Sequence, residues 1–133
     1  MILDTTFFVD VLRGDVRDNP TAEEYIDDLD AAGIGKVSSV TVMELWEGIH
    51  LADTTATERG RVEQLLEGIY ELPFDRDAAM LAGELSAALV SRGESIGEGD
   101  VMIGATALVN DEPVLTRNVE HFDRIDGLET HTY

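Results

Sequence analysis

At 133 residues, with 44% hydrophobic and 28% charged side chains, the chain has the size and composition of one soluble globular domain spanning 1–133. It has no cysteine, which excludes disulfides, thiolate zinc sites and a cysteine nucleophile, and it has no membrane-length apolar stretch or basic leader, so a cytoplasmic location is expected. The 28 acidic residues outnumber 9 basic ones for a formal charge of −19, and because the acids are interspersed with apolar positions they describe a solvated shell on a folded core.

Met1 to Asp4 reads as a first strand. Phe7, Phe8, Val11 and Leu12 then recur three and four apart, the spacing of one helix face, until Arg13-Gly14 stops the helix. Asn19-Pro20 marks a turn ahead of a helix carrying Tyr25, Ile26 and Leu29. Gly35 to Ser38 is a second short strand, and a helix from about Val40 sets Val42, Leu45, Trp46 and Ile49 on one face. Another helix spans Glu58 to Glu67 with Val62, Leu65 and Leu66 inward. Ile69 to Leu72 is a third strand, ended by Pro73. Asp75 to Arg92 is a long helix with Ala78, Leu81, Leu85, Ala88 and Leu89 inside, stopped by Gly93. Gly97-Glu98-Gly99 leads into a helix from Asp100 to Asn110, whose Val101–Val109 run is apolar nearly all round and therefore buried. Pro113 to Thr116 is a fourth strand and Leu128 to Thr132 a short edge strand. Strands alternating with helices predict an α/β fold with a mainly parallel sheet covered on both faces, whose sites form beyond the carboxyl ends of the strands.

Three carboxylates stand where one element gives way to the next. Asp4 closes the first strand; it could cap the following helix, although Thr5 and Thr6 could do so without charge. Glu44 completes a Thr41-Val42-Met43-Glu44 capping box, and it also lies off the apolar stripe, pointing towards the strand ends. Asp100 precedes nine uncharged residues and could favour the positive end of its helix. Together with the Thr116-Arg117-Asn118 turn, these acids fall near strand ends. Converging carboxylates repel one another unless a cation lies among them, and their oxygens suit Mg²⁺ or Mn²⁺, with the chemistry such ions perform on phosphodiesters. His50, His121 and His131 form no zinc pattern and read as surface or local packing residues. Trp46 reads as core and Glu98 as solvated.

The segments Ile2–Thr6, Ser39–Glu44, Asp100–Ala107 and Thr116–Phe122 occur in the order of a PIN domain, and the chain most resembles the VapC toxins of VapBC toxin–antitoxin pairs. The resemblance runs from residue 1 to about 130 and is most specific from Asp100 through Phe122. It implies a three-layer α/β/α (Rossmann-like) fold and a Mg²⁺- or Mn²⁺-dependent endoribonuclease acting on RNA. It further implies homodimers and neutralisation by a small VapB-like antitoxin whose tail blocks the acidic pocket. Carried over by position, Asp4, Glu44 and Asp100 would be the catalytic metal-binding acids. Thr6 stands where the family often has asparagine or serine. Asn118 stands where many members have a fourth acid, so it would ligate through oxygen or orient water. Gly104 replaces a frequent alanine, with little consequence expected.

The charge balance also resembles that of proteins from salt-loving archaea. In molar salt the Debye length falls to about 3 Å, which screens surface repulsion, so the protein should be less stable at low salt. For an RNA ligand, Arg13, Arg17 and Arg117 are the candidate phosphate contacts, with Arg13, Arg117 and Thr116 closest to the expected site. A receiver-like Mg²⁺-binding signalling domain would need an acidic pair after the first strand, an acceptor aspartate after the third and a lysine after the last. Threonines follow Asp4, Pro-Phe follows Leu72, and Lys36 is elsewhere. A phosphatase of the Asp-x-Asp type fails at Thr6. A catalytically silent module that only binds a partner is compatible with the same residues.

Overall fold

A computed structural model describes residues 1–13, 33, 35–53 and 55–133; the Asn19-Pro20 turn, the helix expected around Tyr25 and Leu29, and Arg17 lie outside these residues. The described strands are β1 (Ile2–Leu3), β2 (Lys36–Ser38), β3 (Tyr70–Leu72), β4 (Val114–Leu115) and β5 (Thr130–His131). They form one sheet in the order β3-β2-β1-β4-β5, and every pairing is parallel, the edge strand β5 included. The described helices are α1 (Thr5–Arg13), α2 (Ser39–Leu51), α3 (Ala56–Glu67), α4 (Arg76–Ser91), α5 (Glu98–Val109) and the single turn α6 (Val119–Phe122), which the sequence pattern did not reveal. None is long and apolar enough to cross a membrane.

Alternation along the short strands makes the three layers. Ile2 and Val114 point to one face, where they join Ala82, Leu89, Ile103 and Phe122 from α4, α5 and α6. Leu3, Val37 and Leu115 point to the other, where Phe7, Phe8, Leu45, Ile49 and Val62 from α1, α2 and α3 cover them. The central strands are thus buried on both faces, which is why they read as continuous apolar runs. The apolar α5 fills the space between sheet and α4, with Ile103, Ala105 and Ala107 fully enclosed.

Several expectations are corrected by packing. Trp46 is not core: it is 39% exposed and its ring sits against that of His50 at 5.5 Å. In α4 Ala78 is buried as expected and Ala82 is buried too, while Ala88 is exposed. At Gly104 an added Cβ would lie 2.5 Å from Ile125 Cδ1, so an alanine there requires the end of that side chain to shift. The Thr41–Glu44 capping box does not form. Ser38 caps α2 by accepting from the Val40 N–H at 3.1 Å, and Thr41 is fully buried within the helix. A capping box does form at α3, between Thr55 and Glu58.

The register aligns the strand ends. Leu3 pairs with Val37 on one side and Leu115 on the other, so Asp4, Ser38 and Thr116 come next in line at one edge of the sheet. The chain runs outward from β1 through β2 to β3, then returns to the other side with β4 and β5. The reversal lies between β1 and β4, and in open parallel sheets such a crevice beyond the carboxyl ends is where ligands bind.

Candidate active site

Asp4 is built into this crevice. Only 1% of its surface is exposed, and both carboxyl oxygens are taken up. Thr6 Oγ1 donates to Oδ1 at 2.7 Å, the Phe7 N–H to Oδ1 at 3.0 Å, and Thr116 Oγ1 to Oδ2 at 2.6 Å. Asp4 therefore does cap α1, and the cap holds the carboxylate in place. Burial pushes its pKa above the ordinary 3.8; the hydroxyl and amide donors act against that shift, and the charge of Asp100 adds to it.

Glu44, freed from capping its own helix, is held from α1 instead. Thr5 Oγ1 donates to Glu44 Oε1 at 2.8 Å and is itself paired with Thr41 Oγ1 at 3.1 Å. The other oxygen lies against the backbone of Gly99, where an added Cβ would come within 2.8 Å of Oε2. Burial raises the Glu44 pKa above 4.5, Thr5 opposes this, and the charges of Asp100 and Glu47 reinforce it. Asp100 is thus the charge felt by both other acids. It occupies the first turn of α5 without capping it, since Gly97 is the cap residue and no side chain bonds there.

Asp100 has partners of its own from the turn after β4. Asn118 Nδ2 donates to Asp100 Oδ2 at 3.0 Å, and His121 Nδ1 lies 3.2 Å from the same oxygen and 2.7 Å from the Asn118 amide. His121 is 42% exposed at its side chain and packs locally on Asn118, in line with its reading as a surface or local packing residue, and it also reaches Asp100. Asn118 meets Asp100 through its amide group, and Thr116 closes the turn by accepting the Asn118 N–H at 2.8 Å. Arg117, between them, pairs with Asp10. Arg13 lies at the end of α1, on a groove of about 330 Å³ that also takes in Thr5, Leu12 and Glu44. Glu98 is exposed, as expected.

Thr116 joins the sheet edge to the acid cluster, and its removal should be felt in stability. Thr116→Val keeps the shape but leaves Asp4 Oδ2 and the Asn118 N–H without this partner. A hydrogen bond to a charged group contributes about 1.5–3 kcal/mol, and a loss of that size is expected in urea unfolding.

The donor set suits a hard divalent cation. All three acids supply oxygen, and two have carboxyl groups whose charged form is disfavoured without a counter-charge. Among the described residues, no three acids or histidines come together as a group that could hold a metal ion.

The PIN-domain family model matches residues 1–128. The chain is 31% identical over 97 residues to the tRNA(fMet)-specific endonuclease VapC of Shigella flexneri, covering 73% of this chain and 74% of that one. It is 30% identical over 128 residues to ribonuclease VapC19 of Mycobacterium tuberculosis, 96% of each chain. It resembles the crystal structure of DNA-bound VapBC from Salmonella typhimurium with a TM-score of 0.83 at 25% identity, covering 98% of this chain and 96% of that chain.

Proposed function

This chain belongs to the PIN-domain family, and on that premise we propose that it is a divalent-metal-dependent endoribonuclease acting as the toxin of a toxin–antitoxin pair. What supports the reading is that Asp4, Glu44 and Asp100 stand beyond the strand ends, each held by a partner from another element, with the Asp100 charge acting on the other two. PIN-domain ribonucleases of the VapC kind generally depend on a divalent metal. Asp4, Glu44 and Asp100 would hold Mg²⁺ or Mn²⁺. A divalent ion held there would supply positive charge for phosphodiester chemistry and would make water easier to deprotonate.

The chain's own residues fix the geometry. Thr6, Thr116 and the Phe7 amide hold both Asp4 oxygens, and Thr5 sets Glu44. Asn118 and His121 set Asp100 Oδ2, so these two act through Asp100 as positioning groups. The cluster repels a phosphodiester when no cation is present, so RNA and metal should bind together.

The partner reading rests on charge and shape. The groove that opens beside Glu44 is lined by Val9, Leu12, Leu45 and Ile49, with Arg13 at its rim. An amphipathic segment fits such a groove, and a basic residue at its end would reach the acids. VapBC complexes such as the Salmonella structure place a toxin of this fold with an antitoxin.

Cleavage of tRNA and of unstructured RNA, with Mg²⁺ or Mn²⁺ at high salt, tests the activity. Cleavage that stops with EDTA and returns with added metal is expected. Protein that is folded yet cleaves no RNA with either ion would show a silent binding module instead.

A further inference from the structure

Asp10 is a buried charge outside the cluster just described. It faces inward from α1, one turn beyond Thr6, with 2% of its surface exposed. Two residues from the far end of the chain reach it. Tyr133 donates its phenol hydroxyl to Asp10 Oδ2 and sets its ring edge-on to Phe7, 5.3 Å between centroids. Arg117 brings Nη1 to 3.1 Å from Oδ1. That second contact is an ion pair without hydrogen-bond alignment, since Oδ1 receives no hydrogen bond. The guanidinium is held by charge, and the Arg117 side chain is 60% exposed.

The position of Arg117 makes this arrangement useful. Its neighbour Thr116 bonds Asp4 and its neighbour Asn118 bonds Asp100, so Arg117 stands at the rim between two acids of the cluster. An unrestrained arginine there would fold onto those carboxylates and compete with a metal ion. A buried carboxylate is otherwise destabilising, and one with an oxygen left without a hydrogen bond especially so. Pairing with Asp10 on one side keeps Arg117 off the cluster and leaves part of its planar fork for a phosphate, two of whose oxygens it can bond. Tyr133 borders the same region: burial and donation to Asp10 hold its phenol pKa well above the ordinary 10, and the charge of Asp4 reaches it too.

We propose that Asp10 is a positioning residue that holds Arg117 at the rim of the acid cluster, where Arg117 binds an RNA phosphate adjacent to the one cleaved. The ligand rests on the ribonuclease reading above; the positioning geometry does not.

Steady-state cleavage of a fluorescent RNA in Mn²⁺ separates the possibilities. Arg117→Ala, at an exposed side chain, should raise KM about tenfold with kcat within about twofold, the loss of one charge-assisted phosphate contact. Asp10→Asn should raise KM in the same direction, and the double variant should be no worse than Arg117→Ala alone. Tyr133→Phe, which removes only the phenol hydroxyl, should leave KM near wild type. Asp10→Ser replaces Asp10→Asn if the latter does not fold. An unchanged KM in Arg117→Ala or in the Asp10 variant overturns the proposal. So do multiplying effects in the double variant, or a Tyr133→Phe effect as large as that of Asp10→Asn, which would make Asp10 an anchor for the chain end. If the wild type does not cleave RNA, the ribonuclease reading fails; the same pattern is then read as Kd by fluorescence anisotropy of the labelled RNA, and its absence there overturns the positioning role independently.

Discussion

Gly99→Ala is expected to lower RNA cleavage about 100-fold while leaving the protein at least as stable as the wild type. The added Cβ would stand 2.8 Å from Glu44 Oε2, 3.1 Å from Cδ and 3.2 Å from Oε1. Something must move, and the flexible end of Glu44 moves more easily than the backbone of α5. Its bond from Thr5 at 2.8 Å would break or turn with it. Gly99 lies in the first turn of α5, where alanine favours a helix over glycine by about 0.5–1 kcal/mol, so stability should not fall. A displacement near 1 Å in a catalytic group can cost about 10²-fold in rate, which sets the expected size. Gly83→Ala in α4 is the control, since nothing lies within 4 Å of its added Cβ. Urea unfolding beside kcat decides the matter: a Gly99→Ala protein with wild-type kcat would remove Glu44 from the proposed machinery.

Gly99 also shows where sequence reasoning stops. Asp4 and Asp100 were legible because apolar runs of strand and helix length end beside them, and burial of those runs fixes where the acids stand. The parallel sheet followed from the same alternation. Glu44 was found with an ambiguity that the sequence could not lift. Ser38, Ser39 and Thr41 are all good cap residues, and spacing does not say which one takes the first free N–H groups. The structure gives that place to Ser38, which releases Glu44 to Thr5. Trp46 shares a helical stripe with Leu45 and Ile49, but the stripe is wider than the surface α2 buries. The remaining contacts are long-range. His121 meets Asp100 across 21 positions of sequence, and Tyr133 meets Asp10 across 123. No local period encodes such pairs. The turn Thr116–Asn118 with a histidine three residues on was the one available hint for His121, and a search confined to zinc spacings passes over it.

Asp100→Asn should end metal-dependent cleavage and, without metal, make the protein more stable at neutral pH. Asp4 and Glu44 both have folded-state pKa values raised above 3.8 and 4.5, first by burial and further by the charge of Asp100. A carboxyl with a raised folded pKa binds its proton more tightly when folded. Its contribution to stability is therefore complete below the unfolded pKa and lost as pH rises through the folded one. Removing the Asp100 charge lowers both folded values and returns part of that stability at pH 7. A gain on the order of 1 kcal/mol corresponds to a few degrees in Tm for a domain of this size. The gain should fade as pH falls towards the ordinary carboxylate pKa of about 4, because it depends on Asp4 and Glu44 carrying charge. Loss of a helix cap does not offset it, because Gly97 caps α5 and Asp100 makes no capping bond. The asparagine oxygen can still accept from the Asn118 amide, so the turn after β4 keeps its anchor. Adding Mn²⁺ should reverse the order, since an ion that binds only the folded wild type raises its Tm with concentration and leaves the variant unmoved. Thermal melts at pH 3.5 and 7, with and without Mn²⁺, read all of this. A metal-free variant less stable than wild type by more than about 1 kcal/mol at pH 7 would mean that Asp100 holds the fold together, and that repulsion among the acids is not what a cation relieves.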